Sequence, residues 1–164
     1  MPTPTYTLID SVTLTSSAAS VTFSSIDQSF GDLVIHADVI GTGGGWYLLR
    51  FNGDTGSNYS RVSAGSSGSA SNSGSASGTS IDIGYQGGFS ATTRAPMSAS
   101  VFDYSATDKH KSVLLRQDNA SSAAEMAAGR WANTAAISSL TLTTATQQFA
   151  STSTFFLYGI AKAL

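Results

Sequence analysis

The chain has 164 residues, of which only 11% are charged, and a net charge of −2, so electrostatics gives no support for binding a nucleic-acid backbone. Cysteine is absent, which excludes a disulfide framework and a thiolate metal site. The 29 serines and 19 threonines predict a polar surface made of hydroxyls, and they favour strands and loops over helices. No apolar run is long enough for a membrane span, and residues 1–10 lack the pattern of a secretion signal. We therefore expect a soluble protein made in a cytoplasm, with neither nucleic acid nor membrane as a partner.

The first predicted strand begins near the N-terminus. Tyr6, Leu8, Val12 and Leu14 share one parity and alternate with hydroxyl residues, a pattern typical of a half-buried strand. Asp10 interrupts this apolar parity. Its position predicts a β-bulge or the end of a sheet at that point.

Short strands separated by turn signals follow. Residues 21–23 form one, and residues 33–40 (LVIHADVI) are apolar enough for a strand covered on both faces. Residues 46–52 (WYLLRFN) form the next, after a glycine-rich loop. The Asn52-Gly53 pair predicts a tight turn because both residues tolerate positive φ, and a short strand returns at residues 59–63.

The segment from Gly65 to Ser80 consists almost entirely of glycine, serine and alanine (GSSGSASNSGSASGTS). It offers few side chains that a core could bury, and lengthening a surface loop costs little entropy. We expect a flexible Gly/Ser/Ala-rich loop at residues 65–80. The alternative is an arm that lies across a neighbouring subunit and becomes ordered on contact.

The second half of the chain continues the strand pattern. Residues 123–131 (AAEMAAGRW) contain helix-forming residues, but the segment is short, includes Gly129 and lacks an apolar stripe, so a strand is favoured slightly over a helical turn. Further strands are expected at residues 81–85, 97–104, 112–117, 137–143 and 153–160. Together these elements predict one all-β domain over residues 1–164, an antiparallel β-sandwich or jelly roll of nine or ten short strands.

No arrangement of residues typical of catalysis is visible. His36 is interpreted as an ordinary strand histidine and His110 as a solvated residue of a charged turn, and neither has a metal-ligand spacing. Asp54 lies in an NGDTG sequence that suits a turn better than a calcium loop, which needs several more carboxylates. We expect no catalytic residues, no cofactor and no bound metal, and hence no enzyme activity.

Three aromatic residues near predicted turns are the candidates for ligand contact. Tyr59, Tyr85 and Trp131 have side chains that stack on sugar rings in carbohydrate-binding proteins. The alternative interpretation is that they pack in the core, as expected for Phe23, Phe51, Phe155 and Leu157.

Several segments resemble those of a widespread group of small virion proteins of tailed bacteriophages, especially marine and cyanobacterial ones. These segments are YTLIDSVTLTSSAASVTFSSI at the start, RFNGDTGSNYS in the middle, and GRWANTAAISSLTLT with STFFLYGI near the end. They cover about half of the chain and leave out residues 65–80. The resemblance implies a β-sandwich on the outside of a virion, often a trimer, and it supplies no catalytic residues.

The resemblance and the composition lead to one functional hypothesis and one alternative. The first is a capsid decoration or cement protein, present as a homotrimer or another cyclic oligomer, that bridges major capsid proteins or other virion proteins. The alternative is the receptor-binding tip of a tail or head fibre that recognises a host surface glycan. Both place the protein in the virion, after synthesis in the host cytoplasm.

Overall fold

A computed structural model describes residues 4–84, 88–119 and 123–162, and all regular structure in these ranges is antiparallel β-sheet. Within the same ranges no helix is long and apolar enough to cross a membrane. The twelve strands are β1 (Tyr6–Thr13), β2 (Ser20–Phe23), β3 (Asp32–Val39), β4 (Tyr47–Phe51), β5 (Tyr59–Ser66), β6 (Ala70–Gly78), β7 (Ile81–Ile83), β8 (Ala95–Phe102), β9 (Lys111–Asn119), β10 (Ala123–Trp131), β11 (Leu140–Thr144) and β12 (Thr154–Ile160).

The strands form two sheets of unequal size. The larger sheet has eight strands in the order β1-β12-β3-β8-β9-β10-β5-β6, and the smaller has four in the order β2-β11-β4-β7. Alternate residues of both sheets point inward and share one apolar core, as expected for face-to-face packing. The predicted all-β sandwich is confirmed, with twelve strands where nine or ten were expected. The largest fully buried side chains of the core include Trp131, Tyr47, Tyr59, Tyr104, Phe23, Phe51, Phe89, Phe149 and Phe155.

The prediction of a flexible loop at residues 65–80 was wrong. The chain turns back at residues 67–69, where Gly68 has a φ of +97°, and Ala70–Gly78 pairs with β5 as the strand β6. This strand is exposed on both faces at almost every position, so it needs no apolar alternation. Backbone hydrogen bonds to β5 hold it, and such bonds leave no signature in the side-chain pattern.

The bulge predicted at Asp10 is confirmed, and it changes which side chains of β1 face the core. The pairing of β1 with β12 shifts register between Leu8 and Asp10. An extra residue reverses which parity faces the core. Val12 and Ile9 therefore pack against the core from opposite parities, whereas Tyr6 and Leu8 point away from it and are exposed.

The tight turn at Asn52-Gly53 is also confirmed. Both residues have positive φ, 52° and 67°, and the Asp54 amide donates to the Phe51 carbonyl oxygen at 2.9 Å. The strands on either side do not pair with each other, because β4 belongs to the four-stranded sheet and β5 to the eight-stranded sheet. The turn therefore begins a crossing from one sheet to the other.

Residues 123–131 form a strand, as favoured from the sequence, despite their helix-forming residues. Strand β10 pairs along its whole length with β9 on one side and β5 on the other, and this pairing overrides local propensity. Its inward residues are buried and its outward residues exposed, in strict alternation. Gly129 faces inward, where a Cβ atom would lie 2.7 Å from Cγ2 of Ile81.

Candidate interaction surface

The two sheets are joined at one corner by an aromatic cluster. Tyr59 begins β5 and Trp131 ends β10, directly opposite each other in the register. Their rings stack with centroids 6.4 Å apart, and Phe51 of β4 packs against both. Tyr59 is 0% exposed and Trp131 is 1% exposed. A sugar ring cannot reach an aromatic face that the core already covers.

The proposed ligand contacts through Tyr59 and Trp131 are therefore wrong, and core packing was the correct alternative. Both residues lie next to turns in the sequence. Those turns border the corner between the two sheets, and the two rings fill the interior of that corner. Tyr85, the third candidate, lies outside the described residues.

Asp54 connects this corner to the loop before β5. Its carboxylate accepts hydrogen bonds from Trp131 Nε1 at 2.7 Å, Asn58 Nδ2 at 2.9 Å and the Gly56 amide at 2.8 Å. The bond from Trp131, and then that from Asn58, holds the pKa of Asp54 below its ordinary value. These donors favour the turn interpretation over a calcium loop. In the described ranges no group of three or more histidine or carboxylate side chains is placed to hold a metal ion.

The lowered pKa of Asp54 makes a testable contribution to stability. A carboxyl group with a depressed folded-state pKa stabilises the fold above its unfolded pKa, near 4, and this contribution is lost as the pH falls through the folded value. Asp54→Asn is expected to reduce the free energy of unfolding by about 1–2 kcal/mol at neutral pH. The difference from wild type should shrink as the pH is lowered below about 4 in urea unfolding series.

Asp108→Asn is the matched control for this series. Asp108 is exposed in the loop before β9, and its removal changes the net charge by the same amount. A difference between wild type and Asp54→Asn that stays constant from neutral to acidic pH would contradict the role assigned to the Asp54 carboxylate.

Asn52 fastens the same corner to the segment before β11. Its side-chain oxygen accepts from the amides of Ser138 at 2.9 Å and Ser139 at 3.1 Å, and its Nδ2 donates to the Ala136 carbonyl at 2.8 Å. Two of the segments that carry the resemblance, RFNGDTGSNYS and GRWANTAAISSLTLT, thus meet here. These hydrogen bonds fix the corner after β4 to the segment before β11.

Two buried charged side chains also have structural partners. The Lys111 ammonium donates to the carbonyl oxygens of Lys109 at 2.9 Å and Thr134 at 3.2 Å, and burial lowers the pKa of Lys111. Glu125 of β10 accepts from the Gly84 amide at 3.1 Å, which ties the end of β7 to the larger sheet. Each of these charged groups holds backbone in place.

The side of the eight-stranded sheet that points away from the core, called the outer face below, is unusually apolar. In the described ranges, six large hydrophobic side chains are exposed, and every one of them lies on this face. They are Tyr6 (57% exposed), Leu8 (51%), Val62 (59%), Phe102 (38%), Leu114 (52%) and Met126 (59%). Scattered single apolar residues are normal on a protein surface, but a concentration on one face marks a contact surface.

The four-stranded sheet provides the comparison within the same molecule. Its outward positions include Ser20, Thr22, Thr141 and Thr143, and the hydroxyls of Thr22 and Thr141 lie 2.9 Å apart. The hydroxyl surface predicted from composition is therefore found on the small sheet. The outer face is mixed, because it carries serines such as Ser98, Ser100 and Ser112 beside the exposed apolar residues named above.

Strand β8 forms a shallow groove across the middle of the outer face, with a volume of about 210 Å³. Ser98 is its floor, His36 of β3 stands on one side, and the Arg116–Asp118 ion pair of β9, with a nitrogen–oxygen distance of 3.0 Å, stands on the other. The ring of His36 also meets the edge of Tyr158, with centroids 5.9 Å apart. His36, interpreted as an ordinary strand histidine, is exposed at this groove.

No model of a known protein family matches the chain, and a search of curated proteins finds no significant relative.

Proposed function

We propose that this chain is a non-enzymatic structural protein on the exterior of a tailed-bacteriophage particle, where it decorates or cements the capsid. The observation that carries the proposal is the apolar outer face, because such a face serves contact between folded surfaces rather than turnover of a substrate. The resemblance to small virion proteins supports the same role. Two of the segments that carry this resemblance form the hydrogen-bonded corner around Asn52 and Asp54. A rigid corner of this kind suits a capsid protein that must keep its shape under internal pressure.

The mechanism we propose is bridging. Each copy buries apolar surface against its neighbours, and the summed contacts of many copies hold adjacent capsid subunits together. Strand β6 adds a second docking element, because it is an edge strand of nine residues without charge or proline, the usual protection of such an edge. The partners are further copies of this chain and the major capsid protein or another virion protein.

The proposal is tested on particles assembled without this protein. Purified protein added to them should bind saturably, reach hundreds of copies per particle, and appear on the head in a reconstruction of the particle. A few copies, or a few dozen, at the tail would indicate a fibre instead. Failure to bind any part of the particle, or turnover of a substrate by the free protein, would refute the proposal.

The β8 groove favours one second candidate, the receptor-binding tip of a fibre. A planar guanidinium–carboxylate pair offers donors and acceptors to neighbouring sugar hydroxyls, and the groove has room for a single ring. We expect weak binding per site that is strengthened by several copies on one particle. An array of bacterial surface glycans tests this candidate: Arg116→Ala should abolish the signal, and Arg50→Ala on the opposite sheet should not.

A further inference from the structure

The register of the eight-stranded sheet arranges the outward residues of its four central strands, β3, β8, β9 and β10, in rows. Paired residues fix two of these rows completely, and the other two rows follow by a step of one residue from a neighbouring pair. The rows are Asp32, Phe102, Ser112 and Arg130; Val34, Ser100, Leu114 and Ala128; His36, Ser98, Arg116 and Met126; and Asp38, Pro96, Asp118 and Ala124.

From this pattern we infer that the outer face binds the outer face of a second copy of this chain, about a twofold axis that runs parallel to the strands between β8 and β9. Such a rotation places β3 of one copy over β10 of the other, and β8 over β9, within the same row. This inference rests on the proposed function, in which the outer face is a contact surface, and it identifies a second copy of the chain as the partner that this face binds.

Charges are complementary in this arrangement. Asp32 of each copy faces Arg130 of the other, which gives two ion pairs related by the axis. Asp118 faces Pro96, and Arg116 faces Ser98, so no two like charges meet in the four rows. Complementary potentials of this kind fix the register of an interface and reject other registers.

Side-chain sizes are complementary at two central pairs. Phe102 faces Ser112, and Leu114 faces Ser100, so an exposed large residue lies over a small one in each pair. This lets two sheets interdigitate as the inner faces of a sandwich do. In the third row His36 faces Met126, so two large side chains meet there, and Val34 in the second row is already buried within its own chain.

A twofold axis perpendicular to the strands fits less well. It would place each strand over its own copy with the rows in reverse order, so that Asp32 would face Asp38. Like charges opposite each other cost energy in a sheet contact. The same axis would also lay Phe102 over Pro96 and lose the Asp32–Arg130 pairs.

The size of the face is sufficient for a stable pair. Seven spacings between strands make it about 34 Å wide, and strands of about seven residues make it about 20 Å deep. This gives a projected area of roughly 700 Å², against about 800 Å² per partner in an interface of standard size. The twofold pair takes the place of the trimer that the resemblance implies.

Light scattering coupled to size-exclusion chromatography tests the pair directly. The wild-type chain is expected to be a dimer in the micromolar range, and Leu114→Asp is expected to weaken it at least about tenfold by burying a carboxylate at the centre. Ser20→Asp adds the same charge on the exposed surface of the other sheet and should leave the dimer intact. Unfolding curves of both variants show whether each is folded.

A charge exchange gives a readout that a structural defect would not produce. Arg130→Glu leaves two facing carboxylates in its own homodimer, and Asp32→Lys leaves two facing cations, so each variant alone should be a monomer. In a mixture of the two, both pairs have opposite charges, and a heterodimer should form. Recovery of association only on mixing supports the predicted register.

Other results overturn the inference. These are a wild-type monomer across the micromolar range, a trimer, or a dimer that survives Leu114→Asp. Binding of a bacterial glycan or of capsid protein to the outer face of a monomer would also overturn it, because the same residues cannot be covered twice. A chain that binds particles as a monomer would refute the twofold pair and leave the proposed function standing.

Discussion

Replacing Trp131 with alanine is expected to lower the free energy of unfolding by about 3–5 kcal/mol, as for other fully buried tryptophans. The indole fills the corner between the two sheets against Phe51 and Tyr59, so its removal leaves a cavity there. It also removes the donor that Asp54 receives at 2.7 Å. Urea unfolding followed by circular dichroism measures the loss, at a protein concentration low enough to exclude association.

Trp131→Phe separates the two contributions. It keeps most of the apolar ring and loses the N–H group, so we expect it to cost about 1–2 kcal/mol. Met126→Ala, an exposed position on the same strand, should change the free energy by less than about 0.5 kcal/mol. If Trp131→Ala lowered the free energy of unfolding no more than Met126→Ala, packing of the indole in this corner would not be what holds the two sheets together.

Strands that alternate between core and solvent were predictable from sequence. The alternation of β8, β9 and β12 reflects one buried face each, and the Asn52-Gly53 turn follows from the tolerance of both residues for positive φ. Strand β6 was not predictable, because it buries neither face and is held mainly by backbone pairing with β5, to which the Arg61 guanidinium adds a hydrogen bond to the Ser73 hydroxyl. The division into sheets of eight and four strands depends on long-range pairing, which no local pattern contains.

The candidate surface was less accessible to sequence reasoning than the fold. The bulge at Asp10 was foreseen, but its effect, that Tyr6 and Leu8 turn outward, depends on the register with β12. Tyr59 and Trp131 were placed near turns correctly, yet proximity to a turn does not distinguish a buried corner from an exposed loop. On β9, Leu114 interrupts an otherwise polar outward parity, and this pattern indicates an exposed apolar position.

The contrast between the two sheets indicates which surface is under a functional constraint. A chain rich in serine and threonine has hydroxyl residues available for outward positions, and β2 and β11 of the small sheet use them, whereas β4 places Leu48 and Arg50 outward. The outer face instead exposes leucine, valine and methionine next to alanine. Exposed apolar side chains favour aggregation, so their concentration on one face is best explained by a partner that covers them.

Gly159→Ala is expected to cost about 3 kcal/mol, at the upper end of the range for overpacked cores. Gly159 lies on β12 with its inward side against Phe30, and an added Cβ atom would lie 2.3 Å from Cγ of that ring. Strand β12 is paired with β1 on one side and β3 on the other, so its backbone cannot retreat. The clash must therefore displace Phe30, which packs against the core from the loop before β3.

A double-variant cycle tests this explanation for Gly159. Phe30→Ala removes the ring, and in that background Gly159→Ala should cost much less than in the wild type, because the space has been vacated. Gly44→Ala is the control: nothing lies within 4 Å of its Cβ position, and a change under about 0.5 kcal/mol is expected. If the two substitutions at 30 and 159 were additive, steric conflict with Phe30 would not be the reason for glycine at this position.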